Sequence, residues 1–375
     1  MNTINSLPVD AGPDVLSEVH GQVGLITLNR PKALNALSLT MIRALTERLL
    51  AWRDDPAVAA VAIRGTSKSG PFGAFCAGGD LHFFHQAALN GDAALDDFFT
   101  EEYALNHLIH SYPKPYIAFM DGIVMGGGMG ISQGGQVRVV TERTKMAMPE
   151  THIGLFPDVG GGYFLSRCPG RSGEWLALTG EIIGAGVAQE LGLADACFDS
   201  AKLQSAWSAL ARTDFGRPGA IDQWIEMFSI VSPVNASVDT ARIDRYFSLD
   251  SVPEIIQSLE ADSDRWAQHN AASLRKRSPL MLHVVLAQIR RAREMSLVDN
   301  LRMERDMVHH CFYPRHLGRS ARESETLEGI RALVVDKDHT PRWNPAGIEE
   351  VTPNMVAPFF VSPWTPETHP LRTLT

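Results

Sequence analysis

The chain has 375 residues, of which 45% are apolar and 21% charged, an ordinary composition for a globular protein. Its length exceeds that of one average domain, so we expect two units or one unit with a large extension. The formal net charge of -9 argues against a nucleic-acid partner, which would normally leave a basic footprint. No apolar run reaches the roughly 18 residues needed to span a bilayer, so we expect no membrane partner.

The spacing of the cysteines and histidines argues against disulfide bonds and against a metal site. Cys76, Cys168, Cys197 and Cys311 are widely spaced without a CxxC pair, a pattern that fits neither a zinc site nor a disulfide framework. The 13 histidines form no HExxH or HxxxH pattern, so we expect no metal. The N-terminal residues resemble neither a signal peptide nor a transit peptide, and we expect a cytoplasmic protein.

The first predicted elements are a strand, a helix and a second strand. Residues 23–29 are β-branched and apolar, and Pro31 ends this strand. Residues 38–52 form an amphipathic pattern with Ser38 as its cap. Residues 58–64 are the second, buried strand. This order within about 45 residues indicates a βαβ crossover, which implies a parallel sheet.

Glycine-rich segments interrupt the strands and helices that follow. The first is 75–80 (FCAGGD), and the second is 122–135. The elements around them are a helix at 93–111, strands at 116–121, 137–141 and 145–148, and a helix at 163–168. We therefore expect one α/β domain over residues 15–201.

The pattern changes from about residue 202 onward. Glycine becomes sparse, and long helical periodicity is predicted at 253–260, 264–276, 280–293 and 297–311. We interpret residues 202–375 as a mainly helical extension that packs on the α/β domain, rather than as an independent catalytic domain.

The two glycine-rich segments are candidates for ligand binding. They follow different strands of one parallel sheet, and ligands bind outside the carboxyl ends of such strands. Backbone N–H groups without neighbouring side chains can approach a ligand oxygen, and two of them can stabilise the oxyanion of a thioester. The alternative is that these glycines only make tight turns or allow close packing. Neither segment matches the GxxxxGK[ST] pattern of nucleoside triphosphatases.

Carboxylates in apolar surroundings are the second kind of candidate. Glu150 and Asp158 lie in the stretch MAMPETHIGLFPDVGGGYF, where a carboxylate is unfavourable unless it is used or paired. Glu101 and Glu102 lie in an otherwise aromatic and apolar helix, and each is interpretable as a cap or salt-bridge partner. Cys76 has no base placed near it by sequence, so we interpret it as a small buried residue.

Four segments together resemble the crotonase (enoyl-CoA hydratase) superfamily: LNRPKALNAL, FCAGGD, GIVMGGGMG and PETHIGLFPDVGGGYFL, in that order and spacing. EEYALN, LALTG and RALVVDKDHTPRWNPA resemble its 3-hydroxyisobutyryl-CoA hydrolase subfamily in particular. The resemblance covers residues 15 to 350. It implies the crotonase fold of repeated ββα units, an α/β class, with glycine-rich oxyanion loops and the helical extension added. It also implies an acyl-CoA substrate and no separate cofactor, because coenzyme A is part of the substrate.

The resemblance assigns the catalytic positions one by one. The oxyanion hole falls on the N–H groups of Gly79 and Gly127, and the substrate-contacting carboxylates fall on Glu102, Glu150 and Asp158. Glu150 would attack the thioester carbon or activate water, and the resemblance favours the covalent route. Asp158 would orient water or hold the substrate's 3-hydroxyl group, while Glu102 would shape the acyl end of the pocket.

The same resemblance places coenzyme A near the first two motifs. The implied substrate-binding positions are Lys32, Ala33, Leu34, Ala77 and Asp80, and Lys32 is a candidate phosphate neighbour. Crotonase relatives commonly form trimers or hexamers, so a homo-oligomer is an open alternative to a monomer. The helical extension could occupy the surfaces that those assemblies use.

Gly130 departs from the pattern of the enoyl-CoA hydratases. Those enzymes use two glutamates on the attacking water, one of them at this position, whereas only Glu150 persists here. Dienoyl-CoA isomerases carry an acid at the Asp158 position but usually keep one at the position of Gly130. We therefore expect a hydrolase of 3-hydroxyisobutyryl-CoA, or of a similar 3-hydroxyacyl-CoA, in valine catabolism. A hydratase or isomerase on the same fold, and a non-catalytic interaction protein, remain the alternatives.

Overall fold

The computed structural model describes residues 13–232 and 238–375. The strands in these ranges are β1 (Val15–His20), β2 (Val23–Leu28), β3 (Ala60–Ser67), β4 (Gly70–Pro71), β5 (Tyr116–Met120), β6 (Ile123–Met125), β7 (Val137–Thr141), β8 (Lys145–Ala147) and β9 (Ala196–Phe198). The main sheet has the order β1-β2-β3-β5-β7-β9, with β4 beside β3. The pairs from β2 to β9 along this order are parallel, and β1 is an antiparallel edge strand.

Helices connect the strands and make up most of the second half. The α-helices are α1 (Leu39–Arg53), α2 (Leu81–Asn90), α3 (Ala94–His110), α4 (Gly127–Gln133), α5 (Gly161–Leu165), α6 (Ser172–Thr179), α7 (Ala185–Glu190), α8 (Leu203–Leu210), α9 (Ala220–Phe228), α10 (Thr240–Phe247), α11 (Val252–Ala261), α12 (Arg265–Leu274), α13 (Pro279–Ala292), α14 (Leu297–Phe312), α15 (Glu325–Ile330) and α16 (Pro353–Val356).

The predicted strand–helix–strand start of the chain is confirmed. Ser38 caps α1 by accepting a hydrogen bond from the N–H of Met41 at 3.3 Å. Met41, Leu45 and Leu49 are all buried on one face of this helix, as their spacing predicts. Strand β1 was not predicted, because it is an exposed edge strand without an apolar face.

A small parallel sheet, β6–β8, extends the fold beside the main sheet. A single bridge joins Cys76 to Val124 of β6, and another joins Leu37 to Gly79. The two glycine-rich segments therefore lie side by side. The second segment is not only a loop, because it contains β6 and the short helix α4. A Cβ on Gly128 would lie 2.4 Å from the carbonyl oxygen of Cys76, so α4 packs too closely here for a side chain.

The helical half shares its core with the α/β half. Helices α10 to α14 contribute to the same hydrophobic cluster as α1, α3 and α6. Helices α8 and α9 cover the other face of the main sheet, where Trp207 and Trp224 contact Phe119. Packing is thus continuous across residues 201 and 202, and the proposed division there rests on composition alone. No helix within 13–232 or 238–375 has the length and apolarity that crossing a bilayer requires.

Candidate active site

A cavity of about 190 Å³ lies where strands β6 and β8 end. Three carboxyl side chains, those of Glu102, Glu150 and Asp158, line it together with the glycines of both glycine-rich segments. Its remaining lining is mostly apolar. The sequence-predicted catalytic residues are thus brought to one place, although they come from separate elements.

Gly79 and Gly127 present backbone N–H groups at this cavity. Gly79 is bridged to Leu37, but its neighbours make the hydrogen bonds. The N–H of Leu37 donates to the carbonyl oxygen of Gly78 at 2.7 Å, and the N–H of Asp80 donates to the carbonyl oxygen of Leu37 at 3.1 Å. The N–H of Gly79 therefore points away from Leu37. Gly127 is the first residue of α4, where N–H groups have no partner inside the helix. Neither N–H group donates to an acceptor within the described residues, so both are available to a ligand oxygen.

Side chains at these glycine positions would displace groups that line the cavity. A Cβ on Gly79 would lie 2.5 Å from Cζ of Phe84, and one on Gly127 would lie 2.6 Å from Oε1 of Glu102. The backbone of Gly126 has a φ of 49°, and its Cβ would lie 2.8 Å from Oε1 of Glu150. Packing and ligand access are therefore not competing explanations, because the same missing side chains provide both.

The three carboxyl groups are buried to similar degrees but differ in their hydrogen bonds. Glu150 begins a 3-10 helix (Glu150–Ile153), and its Oε2 has no partner among the described residues. Oε1 of Glu102 likewise has none. Oδ2 of Asp158 accepts a hydrogen bond from the Tyr103 hydroxyl at 2.8 Å. Glu101, by contrast, is at the surface and pairs with Arg43 at 2.6 Å.

Burial raises the pKa of each cavity carboxyl. The pKa values of Glu150 and Glu102 lie well above the ordinary range, and the nearby Asp158 raises both further. The pKa of Asp158 rises only to about 6, because burial is opposed by the hydrogen bond from Tyr103. No lysine or arginine of the described residues lines the cavity. Asp158 is therefore the carboxyl that ionises most readily, and Glu150 ionises at higher pH.

Several residues in or beside the cavity were not identified from the sequence, among them Tyr103, His152 and Leu333. Tyr103 directly follows Glu102, and this adjacency was an available signal. His152 lines the cavity, and its Nδ1 lies 3.0 Å from the carbonyl oxygen of Pro149. Burial lowers the pKa of His152 to about 4, so the imidazole is neutral at physiological pH. Leu333 reaches the cavity from the helical extension, within the RALVVDKDHTPRWNPA segment.

The residues predicted to hold coenzyme A lie beside the cavity. The N–H of Ala77 donates to the carbonyl oxygen of Leu34 at 3.1 Å, which joins the two motifs, and Ala77 also lines the cavity. Lys32 and Leu34 are exposed, and Ala33 is half-buried between them. Their contact with the substrate remains a prediction.

Asp80 is engaged within the protein. Its side chain caps α2 by accepting the N–H of Phe83 at 3.2 Å, and it pairs with Arg30 at 2.8 Å. Its predicted contact with substrate also remains a prediction. Cys76 is fully buried, and burial raises its pKa to about 12, so it is a packing residue rather than a nucleophile.

Fold and cavity together define a protein built to present paired N–H groups and buried carboxyls to a ligand carbonyl. A family model described as enoyl-CoA hydratase/isomerase matches residues 23–360. The chain belongs to the enoyl-CoA hydratase/isomerase family, which confirms the crotonase resemblance.

Its relatives carry names of two reaction types. The chain is 41% identical over 360 residues to a Danio rerio protein named mitochondrial 3-hydroxyisobutyryl-CoA hydrolase, covering 94% of this chain and 90% of that one. A Homo sapiens protein of the same name is 38% identical, with 92% and 87% covered. A solved structure titled carnitinyl-CoA dehydratase, from Mycobacterium thermoresistibile, is 39% identical with a TM-score of 0.83, covering 93% and 96%. One titled enoyl-CoA hydratase, from Rhodobacter sphaeroides, is 34% identical with a TM-score of 0.82, covering 94% and 98%.

Proposed function

We propose that the protein hydrolyses an acyl-CoA thioester, 3-hydroxyisobutyryl-CoA or a similar 3-hydroxyacyl-CoA, to the free acid and coenzyme A. The observation that carries this proposal is the lack of room for a glutamate side chain at position 130. A Cβ on Gly130 would lie 2.7 Å from Cβ of Val159 and 2.9 Å from Nδ2 of Asn106. The site therefore keeps Glu150 but lacks a glutamate at position 130, which suits acyl transfer better than hydration of a double bond.

The chemistry begins with the thioester carbonyl between the two glycines. Its oxygen would accept hydrogen bonds from the N–H groups of Gly79 and Gly127, which stabilise the negative charge that develops on attack. Loss of one such donor typically costs ~3 kcal/mol of transition-state stabilisation. Glu150 attacks the carbonyl carbon, the carbon–sulfur bond breaks, and coenzyme A leaves as a thiol once its sulfur is protonated. Water then cleaves the acyl–Glu150 anhydride and releases the acid.

Asp158 would orient the water or hold the substrate's 3-hydroxyl group. Its hydrogen bond from Tyr103 fixes one carboxyl oxygen and leaves the other for a ligand. Glu102 is buried next to Gly127 and would shape the acyl end. A site whose buried polar groups pair with a substrate hydroxyl rejects acyl groups without it, because those groups would stay unpaired.

Release of free thiol distinguishes the proposed activity from its alternatives. The purified protein is incubated with 3-hydroxyisobutyryl-CoA, its straight-chain 3-hydroxy isomer, the acyl-CoA without the hydroxyl group, and an unsaturated acyl-CoA. A colorimetric thiol reagent follows hydrolysis, and loss of the absorbance of the conjugated thioester follows hydration. We expect thiol release, fastest with the branched 3-hydroxyacyl group. Hydration without thiol release would instead support the hydratase alternative.

Isotope labelling tests for a covalent acyl–Glu150 anhydride that water opens on the Glu150 side. In a single turnover in ¹⁸O-water with excess enzyme, attack of water on the Glu150 side of the anhydride would leave ¹⁸O in that residue. Mass spectrometry of the peptide that contains Glu150 detects the label. A label found only in the product acid after repeated turnovers would favour direct attack of water or hydrolysis at the acyl carbon.

Cellular location and assembly are separate parts of the proposal. We infer a cytoplasmic enzyme of valine breakdown, although the vertebrate relatives are named mitochondrial. Cell fractionation with an antibody against the native protein tests the location. Light scattering tests whether the chain forms a homo-oligomer.

A further inference from the structure

We propose that Glu304, in the helical extension, is a positioning residue that holds the loop carrying Asp158 in the cavity. Glu304 lies in the middle of α14 and is fully buried, but it does not line the cavity. The effect on rate rests on the proposed hydrolase function, whereas the effect on the loop does not. The inference gives the C-terminal half a defined part in the reaction.

The carboxyl group of Glu304 receives hydrogen bonds from the loop. The N–H of Gly160 donates to Oε2 at 2.7 Å, and the N–H of Gly162 donates to Oε1 at 2.8 Å. Asn300 adds a donation at 2.8 Å and Gln288 one at 3.2 Å, both to Oε1. These four hydrogen bonds favour the ionised form of the carboxyl group, and they partly oppose the burial that raises the pKa of Glu304 to about 8.

The loop is held on both sides of Asp158. Nε2 of Gln288, which contacts Glu304, also donates to the carbonyl oxygen of Pro157 at 2.7 Å. One polar cluster of the extension, formed by Gln288 and Glu304, therefore holds the loop at residues 157, 160 and 162. Asp158 and Val159 lie between these residues and face the cavity.

The backbone between residues 157 and 160 is strained and needs such support. Val159 is β-branched and has a φ of 55°, in the left-handed region that such residues rarely adopt. Backbone strain of this kind persists only where the surroundings hold it in place. The same turn directs Asp158 into the cavity and places Val159 against Gly130, the position whose closure favours hydrolysis. Glu304 thus supports both features on which the proposed function depends.

The first test compares two substitutions of Glu304. Glu304→Gln keeps the volume but has one acceptor oxygen, so one glycine N–H loses its partner. Glu304→Asp keeps the carboxyl group but shortens the side chain. We expect kcat for thiol release to fall on the order of 10- to 100-fold in both, because misplacement of a reacting group by 1 Å has effects of this size. KM should change less than about threefold. Glu174→Gln is the control, since Glu174 is also fully buried but pairs with Arg171 and Arg293 instead.

The second test asks whether Glu304 acts through Asp158. In the Asp158→Asn background, Glu304→Gln should lower kcat less than about threefold, because residues that act together are not additive. If the double variant lost kcat by the product of the two single-variant factors, the proposal would be wrong. A kcat for Glu304→Gln equal to that of Glu174→Gln at matched folded fraction would also overturn it.

Amide hydrogen exchange tests the loop without reference to activity. In Glu304→Gln, the amides of residues 158–162 should exchange faster than in the wild type, while those of α1 stay unchanged. Unaltered exchange in this loop would show that Glu304 does not hold it. If the wild type releases no thiol from any substrate, the hydrolase proposal fails, and the exchange result still decides the role of Glu304.

Discussion

The hydroxyl of Tyr103 donates a hydrogen bond to Oδ2 of Asp158 across 2.8 Å, at the wall of the cavity. Among the described residues, Oε2 of Glu150 and Oε1 of Glu102 accept no comparable bond. This difference in hydrogen bonding separates the pKa of Asp158 from the pKa values of the two glutamates. The pKa of Asp158 stays near 6, whereas burial holds the pKa values of the two glutamates well above their ordinary range.

The rate of thiol release should therefore rise with pH. Glu150 must be ionised to attack or to act as a base, and its pKa is raised, so the active form accumulates only as the pH increases. Asp158→Asn removes the charge that raises this pKa, so the rising limb of kcat/KM should move to lower pH although kcat falls. Profiles corrected for spontaneous hydrolysis between pH 5 and 9 measure both effects. A flat wild-type profile would contradict the assignment of Glu150.

Tyr103→Phe should lower kcat near neutral pH. The variant loses a hydrogen bond to a charged group, of about 1.5–3 kcal/mol, and the pKa of Asp158 rises further. The fall should be on the order of 10-fold or more at pH 6 and smaller at pH 9, where Asp158 ionises without help. Tyr116→Phe is the matched control, because among the described residues the buried Tyr116 hydroxyl donates a hydrogen bond only to the carbonyl oxygen of Ile131. Equal losses in both variants would argue for a structural effect.

Glu150→Gln should abolish activity without lowering stability. General-base or nucleophilic chemistry at this residue accounts for 10²–10⁴-fold in rate, so we expect thiol release to fall about 1000-fold. Its unpartnered oxygen is unfavourable in the fold, so Tm should stay the same or rise. Glu325→Gln provides the contrast, because both Glu325 oxygens accept hydrogen bonds, from Ser278 and Asn344, and Tm should fall. Near-wild-type turnover of Glu150→Gln would exclude the mechanism.

Neighbouring glutamates in α3 should respond in opposite ways. Glu102→Gln changes a buried group in the cavity, so kcat/KM should fall more for a 3-hydroxyacyl-CoA than for the same acyl-CoA without the hydroxyl group. Glu101→Gln removes only a surface ion pair with Arg43, worth at most about 1 kcal/mol, and kcat/KM should not change. The ratio of kcat/KM for the two substrates measures the effect. An unchanged ratio in Glu102→Gln would place its role elsewhere.

Gly130→Glu should not create an efficient hydratase. Its Cβ would lie 2.7 Å from that of Val159, so the loop must move and both Tm and thiol release should fall. Overpacking of this kind typically costs 1–3 kcal/mol. Gly184→Glu is the control, because Gly184 is exposed and its Cβ would meet nothing closer than 4.0 Å. Rapid hydration of an unsaturated acyl-CoA by Gly130→Glu alone would show that the cavity already suits that reaction.

The sequence by itself determined much of the local structure and half of the site. The cap and the apolar face of α1 were predicted from the sequence because they depend on residues within a few helical turns. Helices α11 to α14 begin and end within two residues of their predicted bounds for the same reason. Glu150 and Asp158 stood out because carboxylates in an apolar stretch are unfavourable unless they are used. The placement of helix α4 on glycines was missed, since close packing against Cys76 outweighs glycine's low helix propensity.

Only the tertiary structure decided which partners these residues meet. Glu101 and Glu102 are adjacent in sequence, and the packing of α3 alone sends one to the surface and the other into the cavity. Glu304 follows Leu297 and Leu301 on one face of α14, a spacing that is typical of a buried position. Its two partners in the loop of Asp158, Gly160 and Gly162, lie more than 140 residues away in the sequence. The apolar neighbours of a charged residue in the sequence indicate that its burial is unfavourable, because this depends on local composition. The hydrogen bonds that offset burial are made across the fold, and they are what give the cavity its chemistry.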